Sequence, residues 1–139
     1  MNNIKSSKAK DGLIIFFIIL VFLSVIFILY TELQKSYLIN STEKNFYFVK
    51  EELENEVSKC KDINQKWAFG FSCNQKPSIK DISDYFNKNK KLINPHNKRI
   101  GVSGNAGSVQ IEINDKVIII YIDTDANGGI DINHKIYFN

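Results

Sequence analysis

Hydrophobic and polar positions divide this chain into three regimes. Residues 13–30, LIIFFIILVFLSVIFILY, form an uninterrupted apolar run in which Ser24 alone is polar. At the helical rise the run reaches about 27 Å, close to the hydrocarbon thickness of a bilayer, and a serine hydroxyl back-bonds within a helix. A membrane-spanning helix is therefore predicted over residues 13–30. Beyond it the pattern turns amphipathic: Phe46, Val49, Leu53, Val57 and Cys60 step by three or four, and Lys50, Glu51, Glu54, Glu56 and Lys59 fill the opposite face. Neither proline nor glycine interrupts the chain between Leu13 and Cys60. One helix through both regimes, roughly 70 Å long if unbroken, is predicted, with Asn40, Ser41 and Thr42 as the interval where it bends or restarts on a capping hydroxyl.

The third regime changes period. Residues 62–77 read as a loop in which Trp67, Phe69 and Phe71 alternate around Gly70, an arrangement that covers a core more readily than it forms a ligand platform. Ser78 with Asp81 three positions on is a capping pair, and a second helix is predicted through Ile79, Ile82, Tyr85 and Phe86, with Lys88, Lys90 and Lys91 suiting its negative end. Asn94 and Pro95 break the chain, and Gly101, Gly104 and Gly107 mark turns. Val109, Ile111 and Ile113 then alternate with polar residues, Asn114 and Asp115 turn, residues 117–122 are a strongly apolar strand, and residues 135–139 supply a third. The predicted class is α+β: a long N-terminal helix whose amphipathic half packs on a small C-terminal antiparallel sheet.

Charge orients this plan. The chain has 139 residues, with 18 Lys and Arg against 15 Asp and Glu, and the excess of three is matched by Lys5, Lys8 and Lys10 ahead of the apolar run. The remainder is nearly balanced and offers no nucleic-acid surface. Lysines beside a span stay in the cytoplasm, whereas the far flank opens with Thr31 and Glu32, so the folded part is predicted outside the cytoplasm. A cleaved secretory signal is the rival; the run exceeds an ordinary signal core and no small-x-small cleavage site follows Tyr30. In that compartment Cys60 and Cys73 are expected to form a disulfide, and their spacing matches no redox or zinc pattern. The expected organisation is a basic tail over residues 1–12, the span over 13–30, an amphipathic extension over 31–60 and a disulfide-bonded head over 61–139.

These parts in this order resemble a type IV pilin or pseudopilin. The resemblance rests on the short basic leader ending in Gly12, the apolar helix from Leu13, its continuation to Cys60, and the C-terminal antiparallel sheet. The soluble half is similar to small disulfide-bonded pilin-like proteins of marine bacteria in Lys59-Cys60, Cys73, the segment Asn94-Pro95-His96-Asn97 and the strand over residues 108–114. The resemblance implies cleavage by a prepilin peptidase between Gly12 and Leu13, and a place in a pilus or type II secretion-type filament held by helix packing between subunits. It implies a bacterial inner-membrane precursor with its N-terminus in the cytoplasm and its head periplasmic or extracellular. The chain departs from the pattern at Leu13, where a phenylalanine usually follows the cut, and at Asp11, where a basic residue usually stands. It also departs at Phe17, where the family carries a glutamate that pairs with a neighbour's N-terminal amine. These departures point to a minor or tip subunit, or to a single-pass anchored extracytoplasmic binding module that never enters a filament.

One polar constellation has a recognisable spacing. Asp123, Asp125, Asn127 and Asp131, with Gly128 permitting a sharp turn, set oxygen groups at alternate positions as calcium requires. Position twelve of that loop is His134 rather than a glutamate, and aspartate and asparagine before glycine also make an ordinary hairpin turn, so both readings stand. Some pseudopilins carry a calcium loop near this sheet, which the resemblance adds to the first. The sequence has no Gly-x-Ser-x-Gly elbow, phosphate loop or HExxH, and His96 and His134 fall in predicted loops, so a structural, non-enzymatic role is expected.

Overall fold

The computed structural model describes residues 3–60, 66, 67, 69, 73 and 75–138, with side chains from residue 11 onward. The chain divides into two units, Met1–Ser36 and Tyr37–Asn139. Helix α1, Asn3–Lys59, runs without interruption and begins ten positions earlier than the apolar run that predicts it. Gly12, inside α1, carries no neighbour within 4 Å of where a Cβ would stand.

The large apolar side chains over residues 13–30 are all exposed. From Leu13 to Tyr30 the large apolar residues are exposed by between 49 % at Leu20 and 68 % at Phe27. This stretch lies in the one candidate membrane span found among the described residues. The Ser24 hydroxyl within it donates to the Val21 carbonyl at 2.7 Å, and that of Thr31, just beyond it, to the Ile28 carbonyl at 2.8 Å. Such internal pairing is what a helix in hydrocarbon needs, since lipid offers no partner.

The second unit builds a core from the amphipathic half of α1. Phe46, Val49 and Leu53 are buried together with Ile82, Phe86, Val102, Val109, Ile111, Ile118, Ile120, Ile122 and Ile136. The interval at residues 40–42 does not break the helix. Thr42 is fully buried and its hydroxyl donates to the Leu38 carbonyl at 2.8 Å, which satisfies it without a cap.

Strands β1 (Gln110–Asn114), β2 (Val117–Ile122) and β3 (Ile132–Tyr137) form an antiparallel sheet in the order β1-β2-β3. Residues directly opposite share a face, so Ile111 with Ile120, Ile113 with Ile118, and Ile118 with Ile136 line the inner side. Strand β3 starts at Ile132 rather than Lys135, because Ile132, His134 and Ile136 continue the inner-face alternation opposite Ile122, Ile120 and Ile118. His134 is thus a strand residue, not a loop residue. Two residues, Asp115 and Lys116, join β1 to β2, with Asp115 at φ 29° as a hairpin turn tolerates.

Helix α2, Ile79–Asp84, opens on the expected cap. Ser78 accepts from the Asp81 N–H at 3.2 Å while the Asp81 carboxylate accepts from the Ser78 N–H at 3.1 Å. Replacing Ser78 with alanine removes one half of this reciprocal pair and is expected to lower stability by about 1 kcal/mol in urea titration, a loss that threonine at the same position would largely restore. After Asp84 the chain widens into a π-helical turn, Tyr85–Asn89. There Asn87 accepts from the Gly101 and Val102 N–H groups at 3.1 and 3.0 Å and donates to the Val102 carbonyl at 2.9 Å. The turn therefore ends the helix by strapping it to the segment ahead of β1.

The disulfide between Cys60 and Cys73 is present. Inside its loop Trp67 is buried, donates from Nε1 to the Gln75 carbonyl at 3.2 Å and stacks on Phe69 at 5.8 Å. These two aromatics cover the core rather than face solvent; Gly70 and Phe71 lie outside the described residues.

Candidate functional site

The spaced acids Asp123, Asp125 and Asp131 lie in the connection between β2 and β3. β2 ends at Ile122 and the backbone returns to it through Asp131, whose N–H donates to the Ile122 carbonyl at 2.9 Å. The intervening loop folds over its own acids. Ligand oxygens of Asp123, Asp125 and Asp131 lie within 4.8 Å of one another. Asp123 accepts from the Asn127 N–H at 3.1 Å and the Gly128 N–H at 2.6 Å. Asp125 accepts from the Asn127 N–H at 3.2 Å and from its Nδ2 at 2.9 Å. Gly128 stands at φ 98°, in the region that favours glycine, which is why the chain reverses there.

Asn127 does not join the three carboxylates as an oxygen donor. Its Oδ1 accepts from the Gly129 N–H at 2.8 Å and its amide nitrogen is spent on Asp125. In type, three carboxylates suit a hard divalent cation, and they stop short of the six to eight oxygens calcium takes. The same oxygens already satisfy the loop's own N–H groups, so the turn closes on internal hydrogen bonds as an ordinary Asx-rich turn does.

Asp131 is the tightest member. Its carboxylate accepts from the Thr124 hydroxyl at 2.6 Å and the Thr124 N–H at 2.7 Å, and these bonds, the hydroxyl first, hold its pKa below the ordinary carboxylate value. A folded-state pKa that is depressed adds stability above the unfolded value and loses it as the pH falls through the folded value. Thr124→Ala is expected to move the Asp131 midpoint upward in a carboxyl carbon NMR titration, and to shift the onset of acid unfolding to higher pH. An unmoved midpoint would mean that the hydroxyl does not set the charge state.

The loop is tied to the rest of the second unit through His96, whose Nε2 lies 2.8 Å from the Thr124 carbonyl. His96 is in turn set by Asn94, a fully buried residue whose Oδ1 accepts from the His96 N–H at 2.9 Å and whose Nδ2 donates to the Ala106 carbonyl at 3.0 Å. Beside the loop, on the outer side of the sheet, Gly107, Gln110, Tyr121, Asp123, Gly128 and Ile130 line a shallow, open cavity of about 200 Å³.

Further side-chain contacts carry no sign in the sequence pattern beyond the alternation of β3. His134 reaches Glu54 on α1 at 2.8 Å, and Lys50 lies 3.3 Å from the other oxygen. Partial burial pushes Glu54 up, but the hydrogen bonds of His134 and Lys50 outweigh it and hold the carboxyl below its ordinary range. Lys90 pairs with Glu52 at 3.1 Å and sits over the Tyr85 ring, while Lys88 pairs with Asp84 at 2.9 Å. The alternation of β3 was the signal that places His134 against α1.

Gly12 and Leu13, the expected processing site, both lie within α1, and Leu13 is 58 % exposed. Phe17, where the resemblance to pilins leads one to expect a glutamate, is 57 % exposed. No protein family, curated protein or solved structure matches this chain.

Proposed function

We propose that this protein is a pilin-like or pseudopilin-like structural subunit, of the minor or tip kind, anchored through residues 13–30 and bearing its disulfide-bonded head outside the cytoplasm. The observation that supports this most is the continuity of α1: one helix is apolar and exposed over residues 13–30 and amphipathic further on, where Phe46, Val49 and Leu53 join the core of a three-stranded antiparallel sheet. Leu, Ile, Val and Phe are satisfied equally by lipid and by a neighbouring apolar helix, so such a segment passes between bilayer and filament core with every backbone group still paired. Its partners are then lipid before assembly, other pilin-like helices after it, and a prepilin peptidase acting at Gly12. Mass spectrometry of the protein from its host tests the processing step. Loss of residues 1–12 with an N-methylated Leu13 supports the reading, and an intact N-terminus counts against it.

Phe17 favours a second reading, in which the head is a binding module that stays anchored. Phe17→Glu separates the two. In a permanent anchor the substitution puts an unpaired carboxylate in hydrocarbon at a cost of about 2.5 to 3.5 kcal/mol and lowers membrane retention. In a filament subunit a neighbour's amine pairs with it, and incorporation into filaments holds or rises.

A further inference from the structure

Asn127 and Gly128, in the loop between β2 and β3, are the one Asn-Gly pair in the chain. In such a pair the glycine nitrogen has no side chain beside it to hinder attack on the asparagine side-chain carbonyl carbon, Cγ, which closes a five-membered imide. Three bonds of this loop fall on the groups that this reaction uses. The Gly128 N–H, on the attacking nitrogen, donates to Asp123 Oδ2 at 2.6 Å, so a carboxylate stands placed to take its proton. Asn127 Oδ1, on the carbonyl under attack, accepts from the Gly129 N–H at 2.8 Å, the kind of backbone donor that stabilises an oxygen as negative charge builds on it. The departing Nδ2 donates to Asp125 Oδ2 at 2.9 Å. Asn127, Gly128 and Gly129 are all exposed, and nothing lies within 4 Å of where a Gly128 Cβ would stand, so the backbone has room to close the ring and water reaches it afterwards.

We propose that Asn127 is a self-modification site, deamidated by its own loop. The Gly128 nitrogen bonds to Asn127 Cγ and the Cγ–Nδ2 bond breaks. The proton that Asp123 takes from Gly128 passes to the departing amide nitrogen, so ammonia leaves and a succinimide remains. Water then opens the ring at the side-chain carbonyl to give aspartate, or at the main-chain carbonyl to give isoaspartate with an extra methylene in the chain. Either product exchanges the Nδ2 donor that Asp125 accepts from for a carboxylate. It thereby adds a negative charge to a loop in which oxygens of Asp123, Asp125 and Asp131 already lie within 4.8 Å of one another. The modification loosens the β2–β3 connection irreversibly. It needs only residues of the second unit, and neither anchoring nor assembly.

The full chain in detergent micelles, kept folded in buffer or unfolded in urea at the same neutral pH and temperature, tests this. Peptide mass spectrometry after matched incubations reads the fraction of Asn127 converted to aspartate and isoaspartate. The folded chain is expected to convert Asn127 about a hundred-fold faster than the unfolded one, the lower end of what a positioned proton acceptor contributes. Asp123→Asn keeps an oxygen that accepts from Gly128 but removes the basic carboxylate. It should bring the folded rate down to that of the unfolded chain and leave the unfolded rate where it was. Urea titration followed by Trp67 checks that the variant still folds. A folded parent chain that converts no faster than the unfolded one overturns the proposal without recourse to any variant, because the same hydrogen bonds then pin Asn127 rather than activate it. A fast folded rate that Asp123→Asn leaves unchanged overturns it as well, since Asp123 then takes no proton.

Discussion

Truncating Phe46 to alanine is expected to lower the stability of the folded unit by about 3 to 5 kcal/mol. Phe46 is 1 % exposed and, with Val49 and Leu53 of the same helix, belongs to the core formed with the isoleucines of the sheet. Its loss removes the transfer energy of a large side chain and leaves a cavity that a helix fixed on both sides of it cannot collapse to fill. The neighbouring Tyr47 is 55 % exposed, and Tyr47→Ala should change stability by no more than about 0.5 kcal/mol. Urea unfolding followed by Trp67, the single tryptophan of the chain, reads both. Equal losses from the two substitutions would mean that α1 is not seated through this face.

Removing the disulfide is the second large effect. Cys60 and Cys73 are separated by 13 positions, and releasing that loop in the unfolded chain is expected to cost about 3 kcal/mol on the loop-closure account. The bridge joins the end of α1 to the segment holding Trp67 and Phe69, and Phe69 packs edge-on against Tyr85 at 5.2 Å. The double variant Cys60→Ser, Cys73→Ser should therefore unfold at lower urea. If its midpoint matches the parent's, the aromatic packing alone holds the loop.

Much of this architecture is legible in the sequence because it is periodic. The run over residues 13–30 has no polar interruption but Ser24, the steps through Phe46, Val49 and Leu53 fix which side of α1 is buried, and the alternation from Val109 to Ile113 marks β1. What stayed hidden is not periodic. Asn87 and Asn94 act through side-chain bonds to backbone groups 15 and 12 positions away, and an asparagine in a turn-rich stretch carries no mark of such a partner. The polar interval at residues 40–42 looked like a break because a buried threonine that bonds its own helix reads like a cap. His134 looked like a loop residue because the acids before it hide the start of β3, and its contact with Glu54 spans 80 positions.

The acidic loop shows the same division. Its three converging carboxylates follow from the spacing of Asp123, Asp125 and Asp131, whereas the rotation of Asn127 away from them follows from Gly129, whose N–H captures the amide oxygen. Spacing places the backbone, and local hydrogen bonds decide where each side chain turns.

A pilin-like or anchored role requires residues 13–30 to cross a bilayer with the sheet-bearing unit outside the cytoplasm. Protease treatment of intact bacterial spheroplasts expressing the full chain, followed by alkaline carbonate extraction, tests that claim directly. The predicted result is a chain that remains with the membrane pellet and loses its disulfide-bonded unit to external protease. Release into the carbonate supernatant, or a disulfide-bonded unit cut only after the spheroplasts are lysed, would contradict it.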